Sequence, residues 1–362
     1  MIGAVAVDES TIGLLAMGAS FLGTGGGGDP RIGELMARAA LREHGPVELR
    51  SLEEVVDEDL VVPVAMIGAP TVILERIPGG HEFELTLDRL AHHLGRRATA
   101  VMPIEAGGLN STVPFIVAAR RGLPVVDGDG MGRAFPEVQM VTLGAGGVPA
   151  WPLILADESG VTVTIDGCRG NADAERLARA AVVAMGGSAV VAHYAAAGPA
   201  VREWAVPGSV SQALAIGRAL DEVARHGGDA LAALSEVCGA RRSFTGKIVN
   251  VDRRTEAGFV RGVFTLEGLD GDRGHRGEVA FQNENLLLHV DGELVTAVPD
   301  LITLVDAESG RPLTTEGARF GARVHAVTTP ASEIWWRADA LPLVEPRAFG
   351  YDVEAVRAEV SR

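Results

Sequence analysis

The chain holds 362 residues, 47% of them hydrophobic, with 46 glycines and a formal net charge of −16. That length supports two domains and a large core, and the glycines recur at no fixed period, so a fibrous fold is excluded. The acidic balance, with adjacent arginines only as isolated pairs such as Arg96-Arg97, Arg120-Arg121 and Arg241-Arg242, leaves no basic stripe for nucleic acid.

Asp8 and Ser10 precede an apolar-periodic segment over 11–22, which reads as a helix. A glycine run from Gly23 to Gly28 then leads into Asp29 and Pro30, a cap and first-position pair for a second helix reaching about residue 43. A strand over 61–68, a helix over 82–94, a strand over 98–104, a helix over 111–121 and a short strand over 124–126 follow. Such alternation predicts βαβ units and a mostly parallel sheet. The segment 161–165 adds a strand, and alanine-rich helices over 171–185 and 211–225 flank a strand candidate over 189–194. From residue 243 the runs become short and β-branched, at 247–251, 259–266, 278–281, 286–290, 294–298, 301–305 and 323–327. Turns such as Asp291-Gly292 and Ser309-Gly310 separate them. The expected fold class is α/β plus β. An N-terminal α/β domain covers 1–166. A C-terminal part covers 167–362, helical over 171–240 and β-rich over 241–345.

The chemistry concentrates where three predicted strands end, in Gly68-Ala69-Pro70, in Glu105 to Asn110, and in Asp127-Gly128-Asp129-Gly130. Ligands of open α/β sheets bind beyond the carboxyl ends of the strands, so these clusters read as an active-site rim. Glu105 has no structural duty visible in sequence. Asn110 suits a helix cap, which does not exclude ligand contact. Asp127 and Asp129 are either solvated turn residues or a pair that holds one divalent ion or raises one another's pKa. A calcium loop fails, because Met131 and Val138 stand where oxygen ligands are needed. Arg133 and Glu137 have the spacing of a helical ion pair.

The glycine run matches G-x-G-x-x-G at Gly23, Gly25 and Gly28, but a helix precedes it and Asp29 would repel a pyrophosphate. Gly25, Gly26, Gly27 and Gly28 therefore read as a tight connector or as bare backbone facing a substrate, and no nucleotide is expected. Gln282, Asn283, Glu284 and Asn285 interrupt two apolar runs, as a polar loop or as a substrate-binding edge. Pro299-Asp300 is a turn or brings a carboxylate to the same cleft. His92-His93 lies on a predicted surface helix, no histidine pair has metal-ligand spacing, and no G-x-S-x-G occurs. Lys247 reads as a surface residue and Trp335-Trp336 as packing.

Two cysteines, Cys168 and Cys238, suggest a reducing compartment. No basic segment followed by an apolar one marks a signal peptide, and the apolar run over 181–191 is broken by Gly186-Gly187 and too short to span a bilayer. A cytoplasmic location without membrane association is the expectation.

The segments Leu22 to Pro30, Pro103 to Ser111 and Val126 to Glu137 resemble the thiohydantoin desulfurase-like family, formerly a domain of unknown function. Phe281 to Leu286, Val298 to Ile302 and Pro346 to Asp352 resemble motifs of its C-terminal domain. The resemblance covers nearly the whole chain. It implies two domains divided near residue 166, a role beside bacterial hydantoinases and oxoprolinases, and chemistry on five-membered cyclic ureides or their thio analogues.

The expected function is a hydrolase that attacks the sulfur-bearing or carbonyl carbon of such a ring. Asp127 or Asp129 is the expected base or metal ligand, and Glu105 the second carboxylate. Asn110, Arg133, the Gly25–Gly28 backbone, Asn283, Glu284 and Asn285 are the expected substrate contacts. A divalent metal is a candidate cofactor, held by Asp127 and Asp129. The expected partner is a small molecule, with a hydantoinase- or oxoprolinase-type protein and a second copy of the chain as further candidates. The alternative function is a non-catalytic subunit of such an enzyme.

Overall fold

The computed structural model describes residues 5–68, 72, 76, 78–256 and 259–357. Strands β1 (Val5–Val7), β2 (Val47–Arg50), β3 (Leu60–Gly68), β4 (Ala100–Met102) and β5 (Val125–Val126) lie among helices α1 (Ile12–Leu22), α2 (Pro30–His44), α3 (His81–Leu94) and α4 (Val113–Arg121). Next come β6 (Gly128–Asp129), the short turn α5 (Thr142–Ala145), β7 (Leu153–Ala156) and β8 (Thr162–Ile165). Helix α6 (Asn171–Ala184), β9 (Ser188–Ala192), β10 (Ala196–Ala197), α7 (Gly198–Trp204), β11 (Val206–Pro207), α8 (Ser209–His226) and α9 (Ala230–Cys238) follow. The remainder is strand: β12 (Arg241–Glu256), β13 (Phe259–Gly268), β14 (Arg276–Gln282), β15 (Glu284–Val290), β16 (Glu293–Ala297), β17 (Leu301–Asp306) and β18 (Arg323–Thr329). Local chemistry sets the boundaries as expected at α2, where the Asp29 carboxylate accepts the N–H groups of Arg31 and Ile32 and Pro30 starts the helix.

The first sheet has nine strands in the order β1-β2-β5-β4-β3-β9-β7-β8, with β10 also on β3. Strands β2, β5, β4 and β3 are parallel neighbours. The others pair antiparallel, so the sheet is mixed and not mostly parallel. The reason is partly connection length. A short turn joins β7 to β8, closed by the Asp157 carboxylate on Ser159 and Val161, and such a turn permits only antiparallel pairing. The sequence pattern revealed the helical crossovers but not the direction in which β9 returns.

The second sheet has seven antiparallel strands, β16-β15-β14-β13-β12-β18-β17. Alternation gives it two buried faces. Phe244, Ile248, Phe264, Leu266, Val279 and Phe281 form a core of their own, while Ala280, Leu287, Val305 and Val327 join the main core beneath the first sheet's helices. Helix α1 lies at this junction. It crosses α8 at backbone contact: a Cβ on Gly18 would stand 1.8 Å from the Ala213 carbonyl oxygen, and one on Gly217 would stand 1.9 Å from that of Leu14. The Thr303 hydroxyl of β17 donates to the Phe21 carbonyl at 2.8 Å, tying the last turn of α1 to the second sheet. The glycine run that leaves α1 therefore starts between the two sheets. Among the described residues no helix is long and apolar enough to cross a membrane.

Candidate active site

Because β3, β4 and β5 run parallel side by side, their carboxyl ends fall on one edge, as the polar clusters suggested. Ala69 and Pro70 of the first cluster lie outside the described residues. A cleft of about 120 Å³ opens there, roughly ten times the ~10–15 Å³ that one water needs. Its walls are the end of β3, Glu105 and Asn110 after β4, the backbone of Gly26, Gly27 and Gly28, and Asn283 and Glu284 from the second sheet.

Glu105 is 6% exposed. Burial pushes its carboxyl up to about 7, against the stabilising hydrogen bonds from Asn110 and the Phe135 backbone. Asn110 does not cap α4, whose N-cap is Thr112. Its side chain faces β3 instead: Oδ1 accepts the Met66 N–H at 2.8 Å, and Nδ2 donates to the Met66 carbonyl at 3.2 Å and to Glu105 Oε1 at 2.6 Å. The loop turns back too soon for residue 110 to reach the helix start, so the amide serves the neighbouring strand. Ser111 is a loop brace, donating to the Glu105 carbonyl and accepting the Gly107 N–H.

Glu284 comes from the opposite wall. Asn283 occupies the sharp turn between β14 and β15 with φ +56°, a left-handed conformation that asparagine tolerates. Its Oδ1 accepts the Val260 N–H and its own N–H donates to the Val260 carbonyl. That turn delivers Glu284 into the cleft, 3% exposed, with Oε2 buried and unpartnered. Burial, and then the charge of Glu105, hold its carboxyl well above the usual range, while Arg133 opposes the shift. The glycine run makes room for it. A Cβ on Gly26 would lie 1.9 Å from Glu284 Oε1, and one on Gly27 would lie 2.3 Å from Gly107 Cα. The run is thus both the connector and a wall of the cleft.

The remaining expected residues divide. Asp127 does not line the cleft. Its Oδ1 accepts the Ser211 N–H at 3.0 Å and its Oδ2 the Ser211 hydroxyl at 2.6 Å, across the first turn of α8. Asp129 lies 1% exposed beside the cleft. Its Oδ1 accepts the N–H groups of Met131 and Gly132, and burial raises it to about 8, with the Glu105 charge adding to the rise.

Arg133 and Glu137 are not a helical pair, because 130–139 is irregular. Arg133 is fully buried and directs its five N–H groups to the carbonyls of Ala134, Pro299, Asp300 and Asn285 and to the Thr24 hydroxyl. It staples the 128–137 segment to the second sheet and has no donor left for a substrate. Burial lowers its pKa to about 10. Asn285 is likewise structural, donating from Nδ2 to the Ile302 carbonyl and from its N–H to that of Thr24. Asp300 accepts the Ala331 N–H and does not line the cleft. Trp335 packs edge-on to Phe135 at 5.2 Å, as the packing reading expected. Among the described residues no three His, Cys, Asp or Glu side chains gather as a metal site.

Sequence reasoning missed His193, Arg179 and Glu316, which also line the cleft. Arg179 donates to Glu175 and to the Pro136 carbonyl, with its guanidinium 4.7 Å from the Phe259 ring centre. The usable signal for His193 was a polar residue near the end of the strand candidate over 189–194.

Models of the S-Me-THD-like N-terminal and C-terminal domains match residues 10–167 and 169–358. The chain belongs to this family, the thiohydantoin desulfurase-like family its motifs resemble. A crystal structure of a protein from Chromobacterium violaceum is similar at a TM-score of 0.82 and 25% identity, covering 98% of this chain and 100% of that one. No curated protein matches the chain.

Proposed function

We propose that the chain is a hydrolase of a thiohydantoin- or hydantoin-like cyclic ureide. The observation that carries this is the pair Glu105 and Glu284, two buried carboxyl groups from different sheets that face one cleft, with the charge of Glu105 acting on Glu284. Carboxyls whose environments separate their proton affinities divide naturally into a base and an acid. Glu105, raised to about 7, is substantially ionised at neutral pH and is the base. Glu284, held well above the usual carboxylate range by burial and by the Glu105 charge, is the acid.

Water adds to the ring carbon that bears sulfur, and Glu105 takes its proton. Glu284 donates a proton to the departing sulfur as the C–S bond breaks. Hydrogen sulfide leaves and the ring keeps the oxygen of water as a carbonyl, with no change of redox state. Asn110, itself fixed by Met66, holds the Glu105 carboxylate in place. Acidic Glu137 and Glu316 in the walls, with Arg133 spent inside the protein and Arg179 paired with Glu175, favour an uncharged ring over an anion.

The test is sulfide release from 2-thiohydantoin by the purified chain. Glu105→Gln and Glu284→Gln are expected to lose ~10²–10⁴-fold in turnover, the range of a general acid or base. Full activity in both variants sinks the assignment.

A further inference from the structure

The geometry points to His193 as the group that reads an N–H of the ring, a specificity role separate from the two carboxyls. The inference rests on the ureide reading above for the identity of the ring, but not on its catalytic roles.

The sequence prepares this placement at Pro63. It sits inside β3, between β4 and β9, where proline is normally disfavoured because it has no N–H to give the ladder. The His193 N–H donates to the Pro63 carbonyl at 3.3 Å, and on that side Pro63 has no N–H to return. Pairing with β9 stops at Ala192, and pairing with β10 resumes only at Ala196. The intervening backbone leaves the sheet, with Tyr194 at φ +48°. A buried, non-glycine residue in this region costs conformational energy and persists only where its surroundings fix it. Here the fixing contacts are full burial of the ring and a 2.9 Å hydrogen bond from the Tyr194 hydroxyl to the Val138 carbonyl. Val138 is itself a cleft residue.

The result is that His193 lines the cleft at 3% exposure, on the same face of the sheet as Val191. Both ring nitrogens are buried without a protein partner. Burial holds its pKa down to about 3, so the imidazole is neutral and offers one donor and one acceptor. Leaving both unpaired is unfavourable, and a ligand that pairs one of them relieves part of that cost. The two nitrogens of an imidazole point away from one another, so one edge of a ring meets only one of them. The ring N–H of a cyclic ureide is the partner for the acceptor nitrogen, and a ring with its nitrogens methylated has none to give.

The experiment measures calorimetric binding of hydantoin and of 1,3-dimethylhydantoin, neither of which needs turnover. Wild type is expected to bind hydantoin at least tenfold tighter than the dimethyl ring. His193→Phe, which keeps a ring and removes both nitrogens, is expected to bind hydantoin at least tenfold more weakly and to lose the discrimination. His193→Leu repeats the measurement if the phenylalanine variant does not fold. With thiohydantoin, the expected change is a raised KM with kcat kept within a few-fold, which a merely structural role would not give. Wild-type affinity for hydantoin in a folded variant, or equal binding of the two rings by wild type, overturns the inference. Full turnover in Glu105→Gln would instead defeat the catalytic assignment and leave this one standing.

Discussion

Asp127 and Glu284 were both candidate site carboxylates, the first as base or metal ligand and the second as a substrate contact, and their surroundings separate them. At Asp127 both oxygens are taken by Ser211, and the group does not line the cleft. At Glu284 one oxygen is buried with no partner, against a cleft wall made of glycine backbone. Arg133 belongs with Asp127, since every N–H is used inside the protein. His193 belongs with Glu284, and Glu105 lines the same cleft although Asn110 and the Phe135 backbone hydrogen-bond to it. Asp129 is intermediate, with one oxygen occupied and the other unpartnered in the interior. The lesson is that a saturated polar group builds the protein and an unsaturated one at a cavity awaits a ligand.

The largest effect that would sharpen this contrast is on turnover. Glu105→Gln can still accept the Asn110 amide, so the protein is expected to fold while sulfide release falls ~10²–10⁴-fold. A variant with wild-type turnover breaks the contrast at its strongest point.

Arg133→Met is next. Removing the cation leaves Asn285, Pro299 and Asp300 carbonyls without their donors, and a loss of about 3–5 kcal/mol in urea unfolding is expected. A loss below about 1 kcal/mol would mean that the staple is not structural.

A third test uses pH. The folded Glu105 carboxyl binds its proton up to about 7, above the ordinary 4.5. The folded state therefore holds more protons than the unfolded chain between those values, and stability falls as pH rises through that window. Asp129, raised to about 8, adds a fall of the same sign. Glu105→Gln removes one of these penalties. It is expected to exceed wild type at pH 8 by on the order of 3 kcal/mol, with the advantage gone by about pH 4. An advantage independent of pH would refute the burial argument.

The smallest effect is expected at Asp127→Ala: a loss of about 1 kcal/mol, as for other helix-start acceptors, with turnover unchanged. A large fall in turnover would return Asp127 to the site.

Glu105, Asn110, the glycine run and Glu284 were legible in sequence because each breaks an apolar pattern at a strand end or turn, and such interruptions are local. His193 was not, because its meaning depends on Pro63, 130 positions earlier in the chain, and on where β9 stops pairing. The direction of β9 was equally hidden, since alternation of apolar residues gives a strand's existence but not its partner.

The linear chain by itself determined the Asp29 cap, the strand runs, the family motifs and the acidic character of the rim, all of which arise from neighbours a few residues apart. Only the tertiary structure decided which carboxyls share a cavity and which are consumed by backbone N–H groups. Saturation and burial belong to contacts between distant segments, and those contacts set whether a charged group stays ionised, stays silent or meets a substrate.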